Sequence, residues 1–165
     1  FLGNGADIMS DRFTVGFIAG LTAGIAYLSW SLFSRHVLGF AKLSIAEYSA
    51  ALTFNRSPHE LGAIHLVWGG VAALCFAIAI GIIFSFLLLL IDYQQFYLKA
   101  IIYSWAAWYI LIDILIIRLT DAKLQVAIET AISASINATL YGAILAFVYL
   151  KIGGGLRVRV ERENP

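Results

Sequence analysis

The sequence predicts an all-α integral membrane protein, a four-helix bundle with a short interfacial amphipathic helix between its first and second spans. Three observations carry this. The chain has 165 residues, of which 61% are hydrophobic and only 13% charged, against roughly 25% charged residues in an ordinary soluble domain. Uncharged stretches run from Phe13 to Ser34, Leu61 to Ile91 and Thr130 to Leu150, and Ala100 to Ile117 is broken only by Asp113. Each meets the requirement of about 18 or more apolar residues for a helix that rises 1.5 Å per residue through a hydrocarbon core of about 30 Å. The whole chain, 1–165, reads as one membrane domain with spans at 13–34, 61–91, 96–118 and 124–150, an amphipathic helix at 38–54 and a tail at 151–165.

Each element has a physical beginning. Ser10 or Asp11 can cap the first span. That span is too long for the core of a signal peptide, and Asp7 and Asp11 precede it where a basic region would stand, so it is expected to remain in the mature protein. Met9-Ser10-Asp11-Arg12 has the form of a translation start, and the chain reads as processed or cut from something longer. Next, Leu38, Ala41, Ile45, Tyr48 and Leu52 recur at steps of three and four among Lys42, Ser44, Glu47, Ser49 and Asn55. That is the pattern of an amphipathic helix, lying in the membrane interface or covering the ends of the spans.

Ser57-Pro58-His59-Glu60 has the form of a capping box with proline at the first helical position, and it is expected to start the second span. That run would make about 46 Å of helix, so it must tilt or protrude. Asp92 and Gln95 offer a similar start for the third span, and the short link there implies antiparallel neighbours. Thr120 or Asp121 can cap the fourth. After Leu150 the sequence turns to Lys151, Gly153-Gly154-Gly155 and alternating Val and Arg, so the tail is expected to leave the membrane as a flexible basic terminus or a short strand. Four spans put both termini on one side. The 11 Lys and Arg divide between that side (Arg12, Lys99, Lys151, Arg157, Arg159, Arg162) and the other (Arg35, Lys42, Arg56, Arg118, Lys123), which favours cytoplasmic termini by one charge.

The net charge of +1 gives no broad basic surface, so no nucleic-acid partner is expected. A single cysteine, Cys75, forms neither an intrachain disulfide nor a cysteine zinc site. There is no HExxH, GxSxG, Walker A or GxGxxG motif, and the expectation is a protein without catalytic residues, metal or cofactor.

The candidate functional residues are of two kinds. Small residues recur at i and i+4 on three spans: Gly16, Gly20 and Gly24; Gly69, Ala73, Ala77 and Gly81; Ala134, Ala138, Gly142 and Ala146. In lipid, helix association depends on close backbone approach, which such faces permit. They serve packing within one bundle or, for at least one stripe, contact with another copy. The second kind is polar. Asp113 is an acid inside the third span, and the topology puts His65 and Asn137 at the same membrane depth, so the three are expected to form an intramembrane polar cluster. An Asp113 to Arg118 ion pair that snorkels to the interface is the plainer alternative.

Over Arg12 to Gly24, and again at Leu140-Tyr141-Gly142-Ala143, the sequence resembles small four-span membrane proteins of Gram-positive anaerobic bacteria. The resemblance implies a bacterial membrane location and supplies no activity and no functional residue. From the residues themselves, the leading expectation is a structural membrane protein that self-associates as a homo-oligomer, with an ordered lattice or tubule with lipid as its extended form. The alternatives are a small transporter or channel with a proton or ion site near Asp113, and a membrane anchor subunit of a larger complex.

Overall fold

The computed structural model describes residues 3–88, 95–110 and 127–163, with side chains between residues 12 and 152 of those segments. Its regular elements are helices α1 (Gly3–His36), α2 (Ile45–Phe54), a short 3-10 turn (Pro58–Glu60), and helices α3 (Ala63–Leu87), α4 (Phe96–Trp108) and α5 (Ile128–Glu163). Three helices contain stretches of 25 residues long and apolar enough to cross a membrane: Arg12–His36, Ala63–Leu87 and Ile128–Ile152. The chain is a membrane protein by the length and composition of these helices. The expected third span, 96–118, corresponds to the 13 residues of α4 and continues into residues outside the described set, where Asp113 and Arg118 also lie.

Glycine fixes how the helices meet. A methyl group on Gly16 would meet Ser85 Cβ at 2.8 Å, one on Gly20 would meet the Ala77 carbonyl at 2.9 Å, and one on Gly24 would meet Ala77 Cβ at 2.7 Å. From the other side, a methyl on Gly81 would strike the Gly16 carbonyl at 2.7 Å. Residue numbers rise on one helix as they fall on the other, so α1 and α3 are antiparallel with their backbones in contact. On α5, a methyl at Gly142 would meet Ile101 Cα at 2.7 Å, which seats α4 equally close. Between these seams lies an aromatic core in which Phe84, 1% exposed, meets Tyr103 at 5.0 Å, Phe96 at 5.8 Å and Tyr149 at 6.3 Å between ring centres. These tilted and edge-on arrangements are the favoured ones for aromatic pairs.

Several boundaries differ from the sequence expectation for identifiable reasons. The amphipathic helix does not begin at residue 38. There the end of α1 closes on itself, with the Phe40 and Ala41 amides donating to the Ser34 carbonyl and Gly39 at φ +61°, a left-handed conformation that favours glycine. Ser44 then starts α2: its hydroxyl accepts from the Glu47 amide at 3.3 Å while Glu47 Oε2 accepts from the Ser44 amide at 2.6 Å. Ile45, Ala46, Tyr48, Ala50 and Ala51 are buried, and Ala46 and Ala50 rest on the bare backbone of Gly69. The expected box at Ser57 does not start the second span. Pro58–Glu60 is a single 3-10 turn without a side-chain cap, and extended Leu61 separates it from α3. The start of α3 is held instead by His65, whose Nδ1 accepts from the Gly62 amide at 3.1 Å.

The tail neither leaves as a strand nor breaks at its three glycines; α5 continues to Glu163. Each glycine costs about 1 kcal/mol in a helix, which is why the sequence alone points to a break there.

Candidate functional site: buried hydroxyl and amide groups at one end of the bundle

The C-terminal end of α1 faces the start of α5, and the two helices carry matching polar stripes. Tyr27, Ser31 and Ser34 are spaced by four and three residues; Thr130, Ser133 and Asn137 are spaced by three and four. Antiparallel packing brings these stripes together. The Ser133 hydroxyl donates to Ser34 Oγ at 2.8 Å. The Ile45 amide donates to Ser31 Oγ at 2.7 Å, and the Lys42 amide to Thr130 Oγ1 at 2.9 Å. The segment that leads into α2 is therefore fastened to both α1 and α5 by hydroxyls that are themselves buried. A buried backbone amide without a partner is costly, and these hydroxyls remove that cost.

Between the stripes lies a cavity of about 20 Å3, walled by Tyr27, Ser31, Tyr48, Trp108, Ser133 and Asn137 among others. Tyr27 is 7% exposed and Asn137 3%. The Tyr27 hydroxyl and Asn137 Oδ1 are buried atoms with no hydrogen-bond partner among the described residues. The Tyr27 ring is fixed by Trp108 at 5.0 Å and by Tyr141 at 6.1 Å.

Towards the middle of the bundle, polar side chains tie helix to helix. The Tyr141 hydroxyl donates to the Ala77 carbonyl at 2.6 Å, Tyr103 to that of Ile80 at 2.9 Å and Ser104 to that of Ala138 at 2.7 Å. At the opposite end, Ser85 Oγ donates to the Arg12 carbonyl at 2.7 Å. In hydrocarbon no water competes for such links, although a hydroxyl can still bond a carbonyl of its own helix.

The expected cluster of His65, Asp113 and Asn137 does not form as one group among the described residues. Asn137 lies in the cavity wall, whereas His65 caps α3 and stacks edge-on against Phe54 at 4.8 Å. Asp113 lies outside the described residues. Tyr27, Ser31, Ser34, Thr130 and Ser133 were not among the expected site residues, although their helical spacing is visible in the sequence. Hydroxyls in apolar runs pass as neutral filler until two stripes are set opposite each other. The small residues go inward: Gly16, Gly20 and Gly24 to α3, Ala77 and Gly81 to α1, Gly69 to α2 and Gly142 to α4. Ala73, Ala138 and Ala146 are buried, and Ala134 lines the cavity.

Comparison with protein families, with characterised proteins and with solved structures finds no match to this chain.

Proposed function

We propose that this chain is a non-enzymatic, four-span membrane protein that self-associates laterally through the outer face of α3. The observation that carries this reading is the mismatch between the apolarity of α3 and its coverage. It is the most apolar of the three long helices among the described residues, yet only 28% of its most apolar stretch is buried, against 44% in α1 and 39% in α5. Its uncovered side carries Ile64, Trp68, Val71, Cys75, Ala79 and Ile83 at steps of three and four. Cys75 and Ala79 are small and four apart, which leaves room for a second backbone. The glycine stripes are engaged within the chain, so this face takes the role first expected of them. Packing of α4 against α5, together with the apolar sequence through Ile117, supports a fourth span. In this reading α2 lies at the membrane interface.

A contact of one face with its own copy is two-fold and closes as a dimer; an extended lattice needs a second, different face. The outward apolar side chains of α1, including Phe13, Phe17 and Ile25, provide one. A transport reading is weakened by the backbone-to-backbone closure of the α1/α3 seam.

The native thiol tests the proposal without engineering. A disulfide needs Cα atoms within about 7 Å, so oxidation of the protein in its own membrane should yield a Cys75 dimer that Cys75→Ser abolishes. A thiol that stays monomeric under oxidation, yet reacts with a membrane-permeant maleimide, would remove α3 from the contact.

A further inference from the structure

The Tyr27 and Asn137 groups raise a question of occupancy that the packing alone leaves open. Both residues are more than nine-tenths buried and line the same cavity of about 20 Å3. One of the unpartnered atoms is a hydroxyl, able to donate; the other is an amide oxygen, which only accepts. An occupant that takes the Tyr27 proton and serves the Asn137 oxygen accepts from one and donates to the other within a small space.

Electrostatics narrows the choice further. Among the described residues, no charged side chain lines the cavity. Helix α1 ends at this end of the bundle and α2 and α5 begin there, so helix ends of both polarities meet around the site. Without a carboxylate or a field of one sign, a buried ion would go uncompensated. A water molecule needs about 10–15 Å3 of such space and typically makes about three hydrogen bonds to otherwise unsatisfied groups. We propose that the cavity is a binding site for a single water molecule that accepts from the Tyr27 hydroxyl and donates to Asn137 Oδ1.

A third bond is available on the wall. The Ser133 hydroxyl gives its only proton to Ser34, which leaves its lone pairs free to accept the second proton of the water. The site joins α1 to α5 at the level where Ser31 and Thr130 hold the segment leading into α2. In this arrangement the water is a structural component, part of the polar fastening that seats α2.

The test uses isotope-labelled full-length protein in lipid nanodiscs. Transfer of magnetisation from water should give cross-peaks to both the Tyr27 hydroxyl or ring and the Asn137 side-chain amide, from a water resident far longer than surface hydration. Asn137→Leu should lose the Tyr27 cross-peak. Ala134→Val, which adds methyl groups to the cavity wall and leaves both polar groups in place, should lose it as well and covers the case in which Asn137→Leu does not fold. Melting temperature gives an independent readout. Tyr27→Phe and Asn137→Leu should each lower it, and the double variant should fall no further than the worse single one. Absent cross-peaks in the native protein, or additive losses in the double variant, would overturn the proposal. So would a melting temperature that rises with sodium chloride and not with choline chloride, because that would identify the occupant as a cation.

Discussion

Two glycines about three turns apart in α3 have opposite roles. Gly81 stands where a methyl would press into α1, whereas at Gly70 the nearest atom to a methyl is Leu28 Cδ2 at 3.9 Å. Gly81→Ala is therefore expected to destabilise the bundle by about 1–3 kcal/mol through overpacking. Gly70→Ala should stabilise it by about 0.5–1 kcal/mol, because the helix sheds the entropy of a glycine and no contact is disturbed. Thermal melting of the two purified variants in detergent checks both signs. Gly20→Leu, placed against the Ala77 carbonyl, should abolish the folded protomer itself rather than release intact protomers, as size-exclusion chromatography would report. In the sequence the stripes were plain and their partners were not. Spacing shows which face of a helix permits close approach, but Gly69, in line with Gly81, serves α2 and not α1, and no periodicity could assign that.

At the scale of elements, two box-like sequences stand near each other, and only one works. Ser44 and Glu47 cap a helix; Ser57 and Glu60 bracket a single turn. Both have a serine followed three residues later by glutamate. What separates them lies downstream: Ile45 onward continues without interruption, whereas Leu61 and Gly62 turn extended after the second. Glu47 is also held by Arg35 at 3.4 Å, a contact between residues whose proximity follows from the turn at Gly39. Ser44→Ala should cost about 1 kcal/mol and act locally, speeding amide exchange in α2 while leaving the α1/α3 seam protected. Uniform loss of protection across all helices would contradict the independence of α2. The existence of the long apolar helices was legible because length and hydropathy decide it. Their ends were not, because local polar bonds set them.

For the whole molecule, the described helices meet at glycine seams with an aromatic core between them, and they expose large apolar side chains along their outer faces, as expected where the solvent is lipid. Burial is therefore a poor guide to where a partner sits, and relative coverage of the spans is a better one. On that ground a large side chain on the outer face of α3, such as Ala79→Trp, should reduce Cys75 cross-linking severalfold without altering the melting temperature of the protomer. A fall in melting temperature of the same size as that of Gly81→Ala would place Ala79 inside the bundle. The polar cluster was legible only in part. Asn137 was expected, and its companions were hidden among the serines and threonines that α-helices in membranes carry for many reasons.

The bonds from Lys42 to Thr130 and from Ser133 to Ser34 join residues 88 and 99 positions apart, which sets an order of events in time. Helices α1 and α3 can close their glycine seam once Leu87 has left the ribosome. The amide of Lys42 and the hydroxyl of Ser34 must wait for α5, and at 5–20 residues per second that wait lasts about 4–20 s. During it the segment leading into α2 is held by α1 alone, through Ser31 and the Ser34 carbonyl. The nascent chain thus passes through a stage with one finished seam and one half-fastened end, and α5, made later, completes the turn that follows α1.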